Sequence, residues 1–317
     1  MSESRPEAYE GTMMPVDPFG DMPMFADLTA DEQTELLFRR VANAPPMPDA
    51  EPPRRVGGLN LNPFAPRPYA IKEAVVGYVS PASTGDDLAI RHADDITGDP
   101  SLTGVPLTVS LDRFYVQEYP GLGTHQVLCT FTVGCLATPG GQTSGAIKQD
   151  VTFGYAFPAE DRQAAALSGM PIFRDLRIGD GLYMWIGCIN TNSTGDDALL
   201  QALSGDPFGK GLQLLAVTNP VTSMLSSLVA GVAKHFLNAS RDALIFKPLL
   251  GLQVSGETSS GKLREGSYII AQASAEQLKW SGYRWRKSEG RVVDAASDNE
   301  LPFNYFVLSI RRQPDGS

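Results

Sequence analysis

The sequence predicts a mainly β protein, an antiparallel two-sheet β-sandwich or jelly-roll-like domain with one principal inserted helix and a largely irregular N-terminal arm. Three observations carry this. From Ala70 onward, about a dozen short apolar or alternating stretches follow one another, as in sandwich folds. The joins between them hold turn residues, as in PGLG, TPGGQ and RIGDG. Only one long segment has a clear helical period, about 220–237.

Ile71–Val79 is the first strand, Leu88–His92 a short one, and Pro106–Tyr119 a longer one. His125–Ala137 alternates, with Val127, Cys129, Phe131, Val133 and Cys135 on one face and Gln126, Thr130 and Thr132 on the other. That pattern describes a half-buried antiparallel strand. Ile147–Phe157, Ile172–Leu176 and Leu182–Ile189 continue the series, followed by a turn at Asn190–Asp197 and a short helix near Ala198–Leu203. A strand–helix–strand unit spans Gly211–Ser255, with strands at Leu212–Thr218 and Leu244–Ser255. Its helix opens at Asn219, a good N-cap, with Pro220 at the first helical position. Val221, Leu225, Leu228, Val229, Val232 and Phe236 share one face. The opposite face is small and uncharged, so the helix is expected to be covered on both sides. Ser267–Ala273, a Trp/Arg-rich hairpin arm around Trp280–Lys287, and Phe303–Arg311 complete the domain.

Residues 1–69 differ in kind, and the chain divides into this arm and a globular domain over 70–317. The arm holds six of the nine methionines and half of the 24 prolines, and its first sixty residues carry eleven acidic against five basic side chains. Such a composition does not pack a core of its own. Within it, Thr29-Ala-Asp-Glu32 spells a capping box that opens a short helix over about 30–42. Leu36, Leu37 and Val41 form its apolar patch, with Arg39 and Arg40 near the C-terminal end. A helix that short must dock on something to persist in water. Its partner is its own domain or another protein, and Ala44–Tyr69 reads as an extended linker or strap.

Composition narrows the function classes. A hydrophobic content of 42% with 20% charged residues describes a globular chain with a real core. The net charge of −10 opposes phosphate-backbone binding, and it also opposes resting on an anionic membrane. The stretch Gly211–Ala233 has no charged residue, but Gln213, Asn219, Pro220 and its hydroxyl residues interrupt it. A stable span wants about 20 mainly apolar residues. A triggered membrane-acting effector is the rival reading of this stretch, with Ser227 and Gly231 at small-xxx-small spacing. Three cysteines, with no metal-ligand spacing and no secretory leader at the N-terminus, point to the reducing cytoplasm.

Chemical motifs are sparse. Gly256-Glu-Thr-Ser-Ser-Gly261-Lys262 nearly spells a phosphate-binding loop, but Leu263 replaces the required Ser/Thr and a strand follows where a helix should. A polar hairpin loop is the expectation. Asn190–Gly195 echoes an EF-hand start without the Glu at position twelve, where Gln201 stands. Asp86, Asp87, Asp94, Asp95 and Asp99 crowd one loop-rich region, where several carboxylates suit Ca²⁺ as a cofactor. Trp280, Tyr283, Arg284, Trp285 and Arg286 form an aromatic-cationic patch able to stack a sugar or other small ligand. The alternative for that patch is an edge hairpin whose rings cover the core. No GxSxG, HExxH or kinase-type set occurs, and the histidines at 92, 125 and 235 fall on different elements. The sequence therefore points to a non-enzymatic interaction or assembly module, with another protein or a second copy of itself as partner.

Overall fold

A computed structural model of the chain describes residues 23–29, 31–33, 67–120, 125–136, 151–164, 169–191, 243–255 and 261–313. The described strands, in chain order, are β1 Ala74–Val79, β2 Asp87–Ala89, β3 Arg91–His92, β4 Pro106–Val116, β5 His125–Leu136, β6 Val151–Ala159, β7 Gln163–Ala164 and β8 Met170–Arg177. They continue with β9 Gly181–Thr191, β10 Ala243–Phe246, β11 Leu249–Gln253, β12 Gly261–Lys262, β13 Gly266–Gln272, β14 Tyr283–Arg286, β15 Arg291–Asp294 and β16 Tyr305–Arg312.

These strands build a sandwich. One sheet has the order β3-β1-β13-β16-β4-β7, with β8 also on β4, and the second has the order β12-β11-β9-β5-β6, with β10 also on β9. A third sheet, β15-β14-β2, is small. The first sheet is central, because both of its faces are buried. Along β13, Tyr268 and Ile270 join the large core shared with the second sheet. Ile269 and Ala271, one residue out of phase, join a second core shared with the small sheet. The same two-residue period sorts β16, with Phe306, Leu308 and Ile310 toward the large core and Tyr305 and Val307 toward the small one. The continuous apolar run of β13 follows from this, since a strand buried on both faces cannot alternate with polar residues.

A bulge keeps β4 in phase. Val307 pairs with Arg113 while the next residue, Leu308, pairs with Leu111, which leaves Asp112 as the extra residue. Leu107, Val109 and Leu111 before it, and Phe114 and Val116 after it, thus all reach the large core.

The predicted β-sandwich class holds, and several local readings change. The stretch read as one strand over Leu88–His92 is two strands in different sheets, with Ile90 between them buried in the second core. Leu244–Ser255 is likewise broken, at Lys247 and Pro248, because proline has no N–H for a ladder. The half-buried reading of the His125 strand also changes. Leu128, Thr130 and Thr132 are buried along with Val127, Cys129, Phe131 and Val133. Gly261 and Lys262 pair in parallel with Leu252 and Gln253, so this segment is not one arm of a hairpin. No helix follows Lys262, and β13 begins at Gly266. Residues 1–22 and 34–66, the predicted strand Leu212–Thr218, and the helices at Ala198–Leu203 and about 220–237 lie outside the described residues. Among the described residues, no helix is long and apolar enough to cross a membrane.

Candidate functional site

The aromatic-cationic patch turns inward. Trp285 pairs in register with Leu88 on one side and Val292 on the other, and both tryptophans are buried in the second core, Trp280 at 5% exposure and Trp285 at 9%. Tyr283 packs half-buried at the edge of that core, so the rings form the inner lining of the small sheet and present no open stacking face. Arg284 is exposed. Arg286 is held in a carboxylate cluster, 3.0 Å from Asp87 and 2.5 Å from Asp298, and these partners, Asp298 first, raise its pKa further. The rings cover the core as the hairpin reading expects, but β14 is paired on both sides, by β15 and β2, and is not an edge strand.

The five aspartates do not converge. Asp86 accepts from the backbone N–H and hydroxyl of Ser288 at 2.6 and 2.7 Å, which holds its carboxyl below the usual range. Asp87 faces Arg286, and Asp94 lies 3.3 Å from His92 Nδ1. Asp99 caps a short 3-10 turn by accepting from Ser101 N at 3.0 Å, and it sits 3.5 Å from Arg312. Asp95 lines a separate cleft with Arg91 and Arg264. Among the described residues, no group of three His, Cys, Asp or Glu side chains is placed to hold a metal ion.

The arm, in contrast, has a built anchor that sequence reading missed. Phe25 is 1% exposed and belongs to the large core, and Met24 forms a parallel bridge with Leu244. The Phe25 ring meets Tyr69 edge-on at 5.4 Å. Asp27 receives the Met24 N–H at 2.9 Å and pairs with Lys72, and the Lys72 contact is the first cause of its lowered pKa. The predicted capping box is formed. Thr29 N donates to Glu32 Oε2 at 2.8 Å, Glu32 N donates to Thr29 Oγ1 at 3.3 Å, and Asp31–Gln33 are helical. Gln33 Nε2 then ties the turn down by donating to the carbonyls of Phe25 and Leu28. On the far side of the arm, Arg67 pairs with Glu118 at 2.6 Å, and Gln272 donates to Ile71 O at 2.7 Å. The described segments on either side of residues 34–66 thus meet on the domain, through Phe25 and Tyr69. Leu36, Leu37, Arg39, Arg40 and Val41 lie outside the described residues. Nothing in the local sequence marks Met24 and Phe25 as core, because they stand in a Met- and Pro-rich tract without a period.

A second cluster lies at one end of the large core. Cys129 and Cys188 are opposite one another in the β5–β9 register, with sulfurs 3.8 Å apart and both thiols free. The Tyr119 hydroxyl contacts Cys188, and its ring meets His125 edge-on at 5.8 Å. Asn190 Nδ2 lies 3.2 Å from His125 Nδ1. His125 Nε2 is 3.2 Å from Asp161 Oδ1, within ion-pair reach but off the line of a hydrogen bond. Burial pushes the Cys129 thiol well above its ordinary value. A reactive nucleophile needs the opposite, an accessible and stabilised thiolate. The two sulfurs are packed as part of the core.

Comparison with protein-family models, with curated proteins and with solved structures found no match for this chain.

Proposed function

We propose that the protein is a non-enzymatic interaction module that displays its arm segment, with Leu36, Leu37 and Val41 as contact residues and Arg39 and Arg40 beside them, from a fixed base on the β-sandwich. The observation that carries this reading is the Phe25–Tyr69 contact, which brings together the described segments on either side of 34–66. Pinning lowers the entropy lost when a partner orders the segment, while leaving the sandwich itself undisturbed. The formed capping box supports it further, since it starts a helical turn just ahead of the contact residues. The partner is another protein or a second copy of the chain. The sparse, odd cysteine count supports the cytoplasm as the compartment.

Removing residues 1–60 is the wrong test, because it takes Met24 and Phe25 out of the core. The test replaces residues 34–66 with a short Gly/Ser bridge and places a photo-crosslinking residue at Leu37 or, as control, at the exposed Glu276 in the intact chain. Crosslinks in native extract that form from position 37 and not from 276, together with an unchanged melting temperature of the bridged variant, support the reading. A self-crosslinked dimer identifies the partner as a second copy. Equal crosslinking from both positions overturns the reading.

A further inference from the structure

We propose that the cleft beside β1 and β3 binds a small phosphorylated polyol, with Arg91 and Arg264 gripping the phosphate and Asp95 accepting from the polyol hydroxyls. The cleft measures about 330 Å³ and opens to solvent where the end of β1 meets the 95–97 turn and the link between β12 and β13. Its polar lining is Arg91, Arg264, Asp95, Ser80, Ser83 and Thr97.

The two arginines are marked, among the described residues, by the cleft they share and by the lack of a carboxylate partner for either. Several other arginines of the acidic chain pair with carboxylates, as in Arg67–Glu118, Arg113–Glu300, Arg286–Asp87 and Arg312–Glu265. Among the described residues, no carboxylate forms an ion pair with Arg91 or Arg264, and both line the same cleft. Arg264 has a fixed backbone. Its N–H donates to Tyr268 Oη at 2.8 Å, and that hydroxyl in turn lies 2.9 Å from both the Lys262 and Arg264 carbonyls. Its guanidinium makes one long contact, 3.4 Å from Nη1 to Thr97 O, which leaves most of its donors for a ligand. Arg91 stands opposite Tyr78 in the β1–β3 register, and Tyr78 is itself fixed by donating to Glu265 O at 2.7 Å. Two guanidinium forks on pinned backbone suit a dianionic phosphate, which takes paired N–H bonds.

Asp95 decides the rest of the ligand. A bare anion gains nothing from a carboxylate in the same cleft, whereas a sugar hydroxyl gives it a donor, with Ser80, Ser83 and Thr97 as further partners. Size and surface exclude a nucleotide. The cleft is at the small end of ligand pockets, and the one ring in its wall, Tyr78, is 3% exposed and offers no face for a base.

The test is calorimetric titration of the full chain with glucose 6-phosphate, glycerol 3-phosphate, inorganic phosphate and glucose. Saturable binding of a phosphorylated polyol, weaker binding of phosphate and none of glucose is expected. Arg91→Ala and Arg264→Ala should each weaken binding by about tenfold or more, the worth of a charge-assisted hydrogen bond. Both side chains are exposed, so circular dichroism and melting temperature should match the parent. Should either variant misfold, Arg91→Lys and Arg264→Lys keep the charge and lose the fork, with a smaller loss expected. Asp95→Asn should narrow the preference for the polyol phosphates over inorganic phosphate. Absence of saturable heat with all three phosphates overturns the proposal. So does equal affinity for inorganic phosphate and both polyol phosphates, or binding that survives the double Arg91→Ala, Arg264→Ala substitution.

Discussion

Asn304 Nδ2 donates to Gln272 Oε1 across 2.9 Å in a seam where both side chains are shut from water. The two amides account for nearly all of each other's and their neighbours' bonding capacity. Asn304 Oδ1 accepts from Gln117 N and Glu118 N, and its second N–H donates to Glu118 O. Gln272 Nε2 donates to Ile71 O, just after the arm, and to Ile245 O on β10. One polar pair therefore joins the central sheet, the second sheet and the chain entering from the arm.

Replacing Asn304 by Ala strands four partner groups at once, the buried Gln272 Oε1 and the part-buried Gln117 N, Glu118 N and Glu118 O. Each unsatisfied buried group costs about 1–3 kcal/mol, so with partial relaxation the loss should be on the order of 3 kcal/mol in urea denaturation. Asn304→Asp should be no better, since a carboxylate cannot donate to Gln272 or Glu118 O. A loss below about 0.5 kcal/mol, the range of ordinary surface changes, would show that the seam is not structural.

Phe25→Ala should cost about 3–5 kcal/mol, the usual loss for emptying a buried ring site. Phe25→Leu should cost far less, because it keeps most of the apolar volume. Arm residues that merely lie on the surface would give near-zero values for both, so the pair of denaturation curves separates an anchor from a loosely attached tail.

The sequence revealed the fold class because β-structure leaves a local signature, while the layers and the anchor depend on contacts distant in sequence. Alternation placed Val127, Cys129, Phe131 and Val133 in the core correctly. It misjudged Thr130 and Thr132, which read as solvent-facing yet are buried, because a polar hydroxyl reports its own chemistry and says nothing about what covers it. The capping box was legible, being a four-residue motif with its own hydrogen bonds. Phe25 was not, since its contact with Tyr69 spans 44 positions of sequence. Nor was the cleft, where Arg91 and Arg264 come together only after β13 has paired with β1. The five aspartates illustrate the reverse case, neighbours in sequence that the fold assigns to different partners.

The buried hairpin rings give a spectroscopic prediction. Trp285→Ala should destabilise the chain by about 3–5 kcal/mol, whereas Trp285→Phe should retain the small sheet. In a Trp185→Phe background, neutral saccharides should leave tryptophan fluorescence unchanged, since Trp280 and Trp285 are 5% and 9% exposed. A saturable sugar-induced shift would restore an open stacking site.

The opposed thiols predict chemical silence. With Cys129 and Cys188 buried and the Cys129 thiol pushed up by burial, both should resist iodoacetamide in the native protein and react fully in urea. Peptide mapping that found either one labelled at native rates comparable with a free thiol would mean that the β5–β9 pairing opens readily.

Asp112 at the β4 bulge gives a pH prediction with a definite sign. Burial raises its carboxyl above the ordinary range, and the Ser309 hydroxyl, 3.0 Å away, together with Arg311 offsets this only in part. A raised folded-state pKa favours the protonated carboxyl, so its contribution to stability is full below the unfolded value and is lost as pH rises through the folded one. Asp112→Asn stays neutral at every pH and keeps an acceptor for Ser309. The variant should therefore melt above the parent at about pH 7, and the gap should shrink as pH falls toward about 4, the ordinary carboxylate range. Other carboxylates titrate alike in both proteins, so the difference isolates this side chain. A gap that stays constant or widens on acidification would show that Asp112 is stabilised by Arg311 more than it is penalised by burial.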